Sequence, residues 1–484
     1  MLRVREVDLR VLNMRTRMPF KYGIASMTAL PHLFVRVDAE IRGKRVTGLA
    51  SEGLPPKWFT KDPTTSFRRD LEDMLAVIRH ACDAALELEP AETPFAWWHD
   101  LYAAQMAWGE EQSLPPLLTA LGASLLERAA TDAFCRATAM PFPEAVRTNA
   151  LGVRLGELHA ELREFEPGYF LPARPPRRIT ARHTVGLADP LTDAEIPEAE
   201  RLQDGLPQSL AACVRAYGLT HFKLKLCGDL ARDVARLRQI SVVLSETVGD
   251  GYAFTLDGNE QYKSVSDFCH AWEAFQTEPS LRSFMPHILF VEQPLHRDVA
   301  LSDEVARELR GWRERPPIII DESDGTAESA ALALENGYAG TSHKNCKGVF
   351  RGIGNACLIA HRRRQQPQRR FVISGEDLAN VGPIALLQDL AAMATLGIEH
   401  VERNGHHYFL GLSMLPTEIQ AQVLATHGDL YREHDQGFPT LDVRAGRIEI
   451  DSVLAAPFGT GFTLDTSLFT PLGEWRFETL GVQE

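Results

Sequence analysis

Residues 220–230 read THFKLKLCGDL, and this stretch places Lys223 and Lys225 on one face of a predicted strand. Side chains two residues apart in a strand point the same way, while the alternating Phe and Leu residues take the core-facing side. Two ammonium groups side by side repel each other, and burial would also cost them their solvation. The stretch therefore predicts that negatively charged groups lie close by in the folded chain.

This strand belongs to a run of short apolar segments that alternate with amphipathic helices from about residue 179. Eight such segments are ITARHTV (179–185), HFKLKL (221–226), YAFTLD (252–257), HILFVE (287–292), PIIID (317–321), GTSHK (340–344), RFVIS (370–374) and IEHVE (398–402). Strand–helix repeats make right-handed parallel connections, and eight strands suffice to close a barrel. An open doubly wound sheet is the alternative, although no GxGxxG motif follows the first strand.

The segments on either side of this run differ from it in the spacing of their apolar residues. Residues 1–50 are strand-like and residues 65–140 have the apolar spacing of helices, which indicates an α+β domain. After residue 436 the chain is again turn-rich and strand-like, and we expect it to return to that first domain. The predicted parts are an α+β domain (1–155), a linker (156–178), a barrel (179–435) and a C-terminal return (436–484).

Composition limits the class of protein. The 484 residues carry a formal net charge of −14, which argues against nucleic acid or an anionic membrane as a partner. Seven scattered cysteines without a CxxC motif suit buried thiols in a reducing compartment. The N-terminus alternates apolar and charged residues, unlike a signal peptide, and no apolar run has the roughly 18 residues of a membrane span. We expect a cytoplasmic protein.

Three consecutive predicted strands end in an acid, namely Asp257, Glu292 and Asp321. The spacing is about one strand–helix unit each time, so adjacent strand ends would bring the acids together at the mouth of a barrel. Converging carboxylates repel one another unless a cation binds them, and an all-oxygen site open to water suits Mg²⁺. Each acid alone could instead cap a helix or open a turn. Asn259 and Glu322 follow two of these strand ends and could support the ligands or serve as turn residues.

The two lysines of the opening stretch lie on the strand before Asp257. Pointing into the barrel mouth, they would face the carboxylates, with Lys225 nearer the C-terminal end of the strand and the substrate. We predict that Lys223 lowers the pKa of Lys225 and so makes it a general base. The alternative is an edge strand with two solvated lysines, but a closed barrel has no edge strand.

A further lysine falls near the end of the sixth predicted strand, in GTSHKNCKG (340–348). Lys344 and Ser342 share one strand face and His343 takes the other, so Lys344 would serve the side of the substrate opposite Lys225. A register shift of one residue would instead turn His343 inward, and Lys347 is a third candidate.

These groups together define a reaction. A small-molecule carboxylate bound to Mg²⁺ has an acidified α-proton, because the cation stabilises the enediolate that forms when the proton leaves. One lysine would remove that proton. The second would return it on the other face or help a leaving group to depart.

The KxK strand, the acids in LDGNE, VEQP and IDES, and the lysine on the sixth strand resemble the enolase superfamily, whose sites combine a Lys or His base with Mg²⁺. Together these motifs look like the mandelate racemase/muconate lactonizing enzyme branch. Strand seven, FVISGEDLAN (371–380), has no histidine at its end, and the sixth-strand lysine resembles the muconate lactonizing subgroup. The resemblance implies a (β/α)7β TIM-like barrel, a capping domain formed by the N-terminal region and the C-terminal segment, and a homo-oligomer.

Other segments extend the resemblance. MPFKYGIASMTALPHLFVRV (18–37) looks like the family's first capping strands and substrate loop, which implies that Lys21, Tyr22 and Met27 lie near the substrate. Ser374 and Glu376 could face the barrel mouth after strand seven. Five residues on or after strand eight could contact substrate, although each alone is more typical of a structural or surface position: Glu399, His400, Glu402, His406 and His407.

The sequence departs from the family in apparent insertions near 55–120 and 155–215, and in the Gly-Val-Phe at 348–350 in place of a Gly-Gly. Two opposed lysines favour a racemase or epimerase. A lyase of the same superfamily, either an acid-sugar dehydratase or a cycloisomerase, is the alternative because elimination needs only one base. A non-catalytic binding barrel is a third hypothesis, which the retained acids and lysines argue against. Acid sugars, dipeptides and N-acyl amino acids all stay open as substrates.

Overall fold

The computed structural model describes residues 1–482, and its N-terminal region is an antiparallel sheet. Three strands follow one another as hairpins: β1 (Leu2–Tyr22), β2 (Ala25–Ile41) and β3 (Lys44–Gly53). The β2–β3 turn is tight because Arg42 and Gly43 both take left-handed backbone conformations, with φ of 52° and 79°. This is the geometry of a two-residue type I′ hairpin.

Six helices follow the sheet: α1 (Phe67–Glu87), α2 (Pro94–Glu111), α3 (Pro116–Thr138), α4 (Phe142–Arg147), α5 (Leu155–Leu158) and α6 (Pro167–Phe170). Ser66 begins α1 by accepting a hydrogen bond from the N–H of Arg69, as an N-cap residue does. Helix α3 is buried along nearly its whole length because it packs against β3, α1 and α2. Gly48 permits this approach, since a Cβ there would stand 2.0 Å from the carbonyl oxygen of Ala129.

A buried ion pair joins α3 to β3. Arg128 donates to the Glu52 carboxylate at 2.8 Å and to the carbonyl oxygen of Ser51 at 2.9 Å, and both charged side chains are fully buried. Replacing Arg128 with Ala would leave the Glu52 carboxylate buried without its partner. We expect the free energy of unfolding to fall by about 3–5 kcal/mol, measured by urea unfolding followed by circular dichroism.

The matched control is Arg69→Ala, which removes the ion pairs that the exposed Arg69 guanidinium makes with Glu72 and Asp73 on α1. Exposed pairs contribute less than about 1 kcal/mol. If the free energy of unfolding fell by a similarly small amount in both variants, the buried pair would not stabilise the cap.

The next part of the chain closes into a barrel of eight parallel strands: β4 (Arg178–Val185), β5 (His221–Lys225), β6 (Ala253–Asp257), β7 (Ile288–Glu292), β8 (Ile318–Ile320), β9 (Gly340–His343), β10 (Val372–Gly375) and β11 (His400–Arg403). Each strand pairs with the next, and β11 pairs with β4 to complete the ring. The eight apolar segments of the sequence correspond to these strands. The barrel prediction is therefore confirmed, and the open sheet is excluded.

Helices connect successive strands: α7 (Leu210–Tyr217), α8 (Leu230–Thr247), α9 (Val265–Thr277), α10 (Arg297–Ala300), α11 (Asp303–Gly311), α12 (Ser329–Asn336), α13 (Val349–Gln365) and α14 (Ala385–Thr395). Between β11 and the C-terminal segment lie the single turn α15 (Gly405–Tyr408) and the helix α16 (Thr417–Thr426). The arrangement is a (β/α)7β barrel. Because all its strands are parallel, their carboxyl ends meet at one mouth.

The C-terminal segment contacts both parts of the molecule. Its elements are β12 (Tyr431–Glu433), β13 (Pro439–Leu441), β14 (Arg447–Glu449), α17 (Asp451–Ala455) and β15 (Thr470–Pro471). Strand β14 pairs with β4 of the barrel, whereas β15 pairs with β1. The prediction of an α+β cap built from both ends of the chain is thus confirmed. Residues 156–178, predicted as a linker, contain most of α5 and all of α6.

Among residues 1–482, the helices all lack the combination of length and apolar character that crossing a bilayer requires.

Candidate active site

The carboxyl ends of five consecutive barrel strands carry charged residues in the order Lys, Asp, Glu, Asp, Lys. Lys225 of β5 pairs in register with Asp257 of β6, and Asp257 pairs with Glu292 of β7. Asp321 directly follows β8, and Lys344 directly follows β9. The structure therefore brings all five residues to one mouth of the barrel. We call Asp257, Glu292 and Asp321 the acid row; a lysine stands at each end of it.

Lys223 lies deeper in the barrel and is enclosed by four carboxylates. Its Nζ is 2.7 Å from Glu292, 2.9 Å from Glu376, 3.0 Å from Asp257 and 3.1 Å from Glu402. Burial by itself would lower the pKa of Lys223, but the four negative charges outweigh it and hold this pKa well above its usual value. Lys223 is thus a fixed positive charge that holds the surrounding acids together.

The two outer lysines each contact one acid of the row. Lys225 Nζ is 2.6 Å from Asp257, and Lys344 Nζ is 2.5 Å from Asp321. The ammonium group of Lys344 also lies 4.5 Å from the ring centroid of Trp58 in the cap, a cation–π contact. Burial lowers the pKa of Lys344, but the Asp321 carboxylate counteracts this and holds the pKa above its usual value.

The sixth barrel strand directs Lys344 toward the acid row and His343 away from it. His343 is buried with Nε2 3.0 Å from the side-chain oxygen of Asn345 and lines a separate small cavity. Lys347, the third candidate, also reaches the row: its Nζ is 2.8 Å from Asp321 and donates to Ser342 Oγ at 2.8 Å. Asp321 therefore contacts two lysines of this segment.

A cavity that opens to solvent lies above the acid row. The cap forms one wall from its first hairpin and from the loop after β3, through Phe20, Tyr22, Gly23, Ile24, Met27, Pro55, Lys57, Trp58 and Lys61. Asn259 and Glu322 line the barrel side, so these two residues, Tyr22 and Met27 all face the cavity. Lys21 is exposed and is not one of the lining residues.

Ser374 and Glu376 lie in a buried layer beneath this cavity. Arg182 of β4 donates to Ser374 Oγ at 3.0 Å and forms an ion pair with Glu376, which in turn contacts Lys223. Both residues are fully buried. Their contacts indicate that they support Lys223 from below.

Glu402 of β11 is a cavity residue that the sequence indicated only weakly. It accepts hydrogen bonds from Thr184 Oγ1 at 2.6 Å and from the N–H of Asp377 at 2.9 Å. Burial raises its pKa, but the lysines, Lys223 first, lower that pKa well below its usual value. The signal that could have found it is positional, because Glu402 ends the segment IEHVE as Glu292 ends HILFVE.

No family model and no curated protein matches the chain. Solved structures match it over most of its length. A mandelate racemase/muconate lactonizing protein from Herpetosiphon aurantiacus is 18% identical with a TM-score of 0.58, and the match covers 94% of this chain and 98% of that one. The chain has the mandelate racemase/muconate lactonizing fold.

Two further solved structures have the same mandelate racemase/muconate lactonizing fold. An N-succinyl Arg/Lys racemase from Bacillus cereus ATCC 14579 is 17% identical with a TM-score of 0.56, covering 95% of this chain and 98% of the racemase. A dipeptide epimerase from Enterococcus faecalis V583, solved with Mg and the dipeptide L-Leu-L-Tyr, is 15% identical with a TM-score of 0.55, covering 84% of this chain and 92% of the epimerase.

The donor set at the mouth of this mandelate racemase-like barrel fits a divalent cation. The acid row offers only carboxylate oxygens, the ligands that Mg²⁺ prefers. Two buried oxygens near the row, Oδ1 of Asn259 and Oε2 of Glu322, have no hydrogen-bond partner within residues 1–482. Burial, and after it the charge of Asp321, raises the pKa of Glu322 to about 7. The site therefore has unsatisfied oxygens and negative charge that a cation would compensate.

Proposed function

We propose that the chain is a Mg²⁺-dependent enzyme of the enolase superfamily that removes the proton α to the carboxylate of a small-molecule substrate, acting as a racemase or epimerase. The observation that supports this most is the position of Lys225 and Lys344 at opposite ends of the acid row. A substrate held at the row would offer one face of its α-carbon to each lysine. A racemase and an epimerase are among the solved structures with this fold.

Each residue of the site has a separate role in the proposed reaction. Bound at the acid row, Mg²⁺ would acidify the α-proton of a coordinated carboxylate. Lys225, as the free amine, takes that proton from one face, and Lys344, as the ammonium ion, gives a proton to the other face. In the reverse direction the two lysines exchange roles. Lys223 stays protonated throughout, and Trp58 covers Lys344 from the cap side.

A lyase is the second candidate, and the surroundings of Lys344 favour it. Its contacts with Asp321 and with the Trp58 ring both stabilise the ammonium form. A lysine that always stays protonated can stabilise negative charge or assist a leaving group, while Lys225 alone acts as the base. This arrangement would suit a dehydratase or a cycloisomerase.

Incubation in D₂O with a panel of acid sugars, dipeptides and N-acyl amino acids separates the candidates. We expect at least one carboxylate to gain deuterium at its α-carbon and to invert its configuration there, measured by NMR and chiral chromatography. Substrate loss accompanied by elimination of water would favour a dehydratase, and conversion to a product of the same mass other than the stereoisomer would favour a cycloisomerase. Failure of every carboxylate in the panel to exchange or react would count against both.

Replacing Asp257 with Asn should weaken Mg²⁺ binding by more than about 100-fold, because loss of a ligand costs more than loss of a supporting contact. Isothermal titration calorimetry measures the affinity. Asp298→Asn, which changes an exposed acid on α10, is the matched control and should bind Mg²⁺ as the unaltered chain does. Equal Mg²⁺ affinity in both variants would show that the acid row is not the metal site.

A further inference from the structure

A second cluster of potential metal ligands lies on the outer side of the barrel wall. It consists of His183 on β4, Cys213 on α7 and His407 on α15, and the ligand atoms all lie within 4.8 Å of one another. All three side chains are buried. Thr184, the neighbour of His183, points into the barrel and donates to Glu402, so His183 points outward. The cluster is therefore separate from the cavity above the acid row.

The spacing within this cluster matches the coordination of a tetrahedral metal ion. Cys213 Sγ lies 3.5 Å from His407 Nδ1. Zinc–sulfur and zinc–nitrogen bonds of about 2.3 and 2.1 Å at a tetrahedral angle place the two ligand atoms about 3.6 Å apart. A metal ion can thus enter between these atoms with little movement of either side chain.

Residues around the cluster are placed to orient the two histidines. His407 Nδ1 faces Cys213, and its other nitrogen, Nε2, lies 3.8 Å from the carboxylate of Asp189. The Tyr408 hydroxyl donates to the same carboxylate at 2.6 Å. His183 Nδ1 is 3.2 Å from His406 Nε2, which leaves Nε2 of His183 available. Metal-binding histidines commonly have such partners at their second nitrogen.

Imidazole binds metals in its neutral form and cysteine as the thiolate. Burial raises the pKa of the Cys213 thiol, so a metal would have to displace the thiol proton on binding. The Asp189 carboxylate lies near His407, and Arg236 donates to the carbonyl oxygen of the same Asp189.

We propose that His183, Cys213 and His407 form a binding site for a zinc-type transition metal, independent of the proposed Mg²⁺ site and of the reaction there. Sulfur and imidazole ligands select such metals over Mg²⁺. The site joins the first barrel strand, the first barrel helix and the turn after the last strand. A metal bound there would therefore stabilise the barrel at the junction between its first and last strands.

The same turn is also connected to the cap. Arg17 of β1 donates to the carbonyl oxygen of His407 at 2.8 Å, and the ring of Phe20 stacks on Tyr408 with centroids 4.0 Å apart. Because Phe20 lines the cavity, a metal at this site would also hold one wall of the cavity in place. We expect the metal to raise the melting temperature of the chain without being consumed or altered in turnover.

Cobalt binding in the presence of excess Mg²⁺ tests the proposal, since Mg²⁺ would compete with Co²⁺ for the proposed carboxylate site. The unaltered chain should bind one equivalent of Co²⁺ and show a thiolate-to-cobalt charge-transfer band with intense tetrahedral d–d bands. Cys213→Ser should lose the charge-transfer band. Cys269→Ser, which changes a partly exposed cysteine on α9, is the matched control and should keep it.

Two results would overturn the proposal. One is a cobalt spectrum of the unaltered chain with only weak octahedral bands, since this would place the metal on oxygen ligands. The other is a charge-transfer band that persists in Cys213→Ser. If Cys213→Ser does not fold, the spectrum of the unaltered chain decides alone. Asp257→Asn should keep the full cobalt spectrum even if the proposed reaction is wrong.

Discussion

Replacing Lys225 with alanine should lower turnover by about 10³-fold or more while the fold and Mg²⁺ binding persist. General-base catalysis contributes roughly 10²- to 10⁴-fold. Lys225 lies at the end of β5 and lines the cavity rather than the apolar core, so the alanine variant should keep the fold. Racemisation of the substrate found in the panel is followed by polarimetry, folding by circular dichroism and metal binding by calorimetry.

The matched control for this substitution is Lys263→Ala, which removes an exposed lysine. It should retain full turnover. Full activity in Lys225→Ala would show that Lys225 is not the base. Loss of Mg²⁺ binding in the same variant would instead assign it to the metal site.

Replacing Lys344 with alanine should abolish racemisation but leave α-proton exchange of one of the two enantiomers intact. If each lysine serves one face, Lys344→Ala still exchanges the α-proton of the enantiomer that Lys225 deprotonates. Lys225→Ala should exchange only the opposite enantiomer. The expected face preference is at least about 10²-fold, the lower range for one acid–base group. NMR in D₂O with each pure enantiomer measures it.

His343→Asn is the matched control for Lys344→Ala, because the neighbouring His343 faces a separate cavity. It should keep the exchange of both enantiomers. If His343→Asn no longer exchanges the α-proton of one enantiomer while Lys344→Ala still exchanges that of both, the histidine is the second acid–base group. If Lys344→Ala slows exchange of both enantiomers equally, Lys344 stabilises charge, as expected of a lyase.

The barrel could be predicted from the sequence because its strands are short, apolar and regularly spaced. The same regularity predicted that Asp257, Glu292 and Asp321 would meet, since parallel strands place equivalent positions side by side. The environment of Lys223 could not be predicted in the same way. Two of its four carboxylates lie far along the chain, Glu376 directly after β10 and Glu402 on β11. They reach Lys223 only because the barrel closes between β11 and β4 and because both side chains face inward.

The cap was harder to predict at the level of single residues. Strand β1 changes register against β2 between Arg15 and Phe20, and alternation alone does not reveal such a shift. Beyond it, Phe20 and Tyr22 face the cavity while Lys21 is exposed. Trp58 and Lys61 line the cavity from the loop after β3. The sequence of this loop has neither strand nor helix periodicity, so their positions could not be predicted.

The β1–β2 hairpin makes this protein suitable for redesign by loop exchange. Phe20, Tyr22, Gly23, Ile24 and Met27 come from one short continuous stretch, whereas the charged groups stand on barrel strands. Under the proposed function, substrate preference and reaction chemistry would thus depend on separate parts of the chain. Libraries confined to residues 20–27 could sample new substrates without disturbing the lysines and acids beneath.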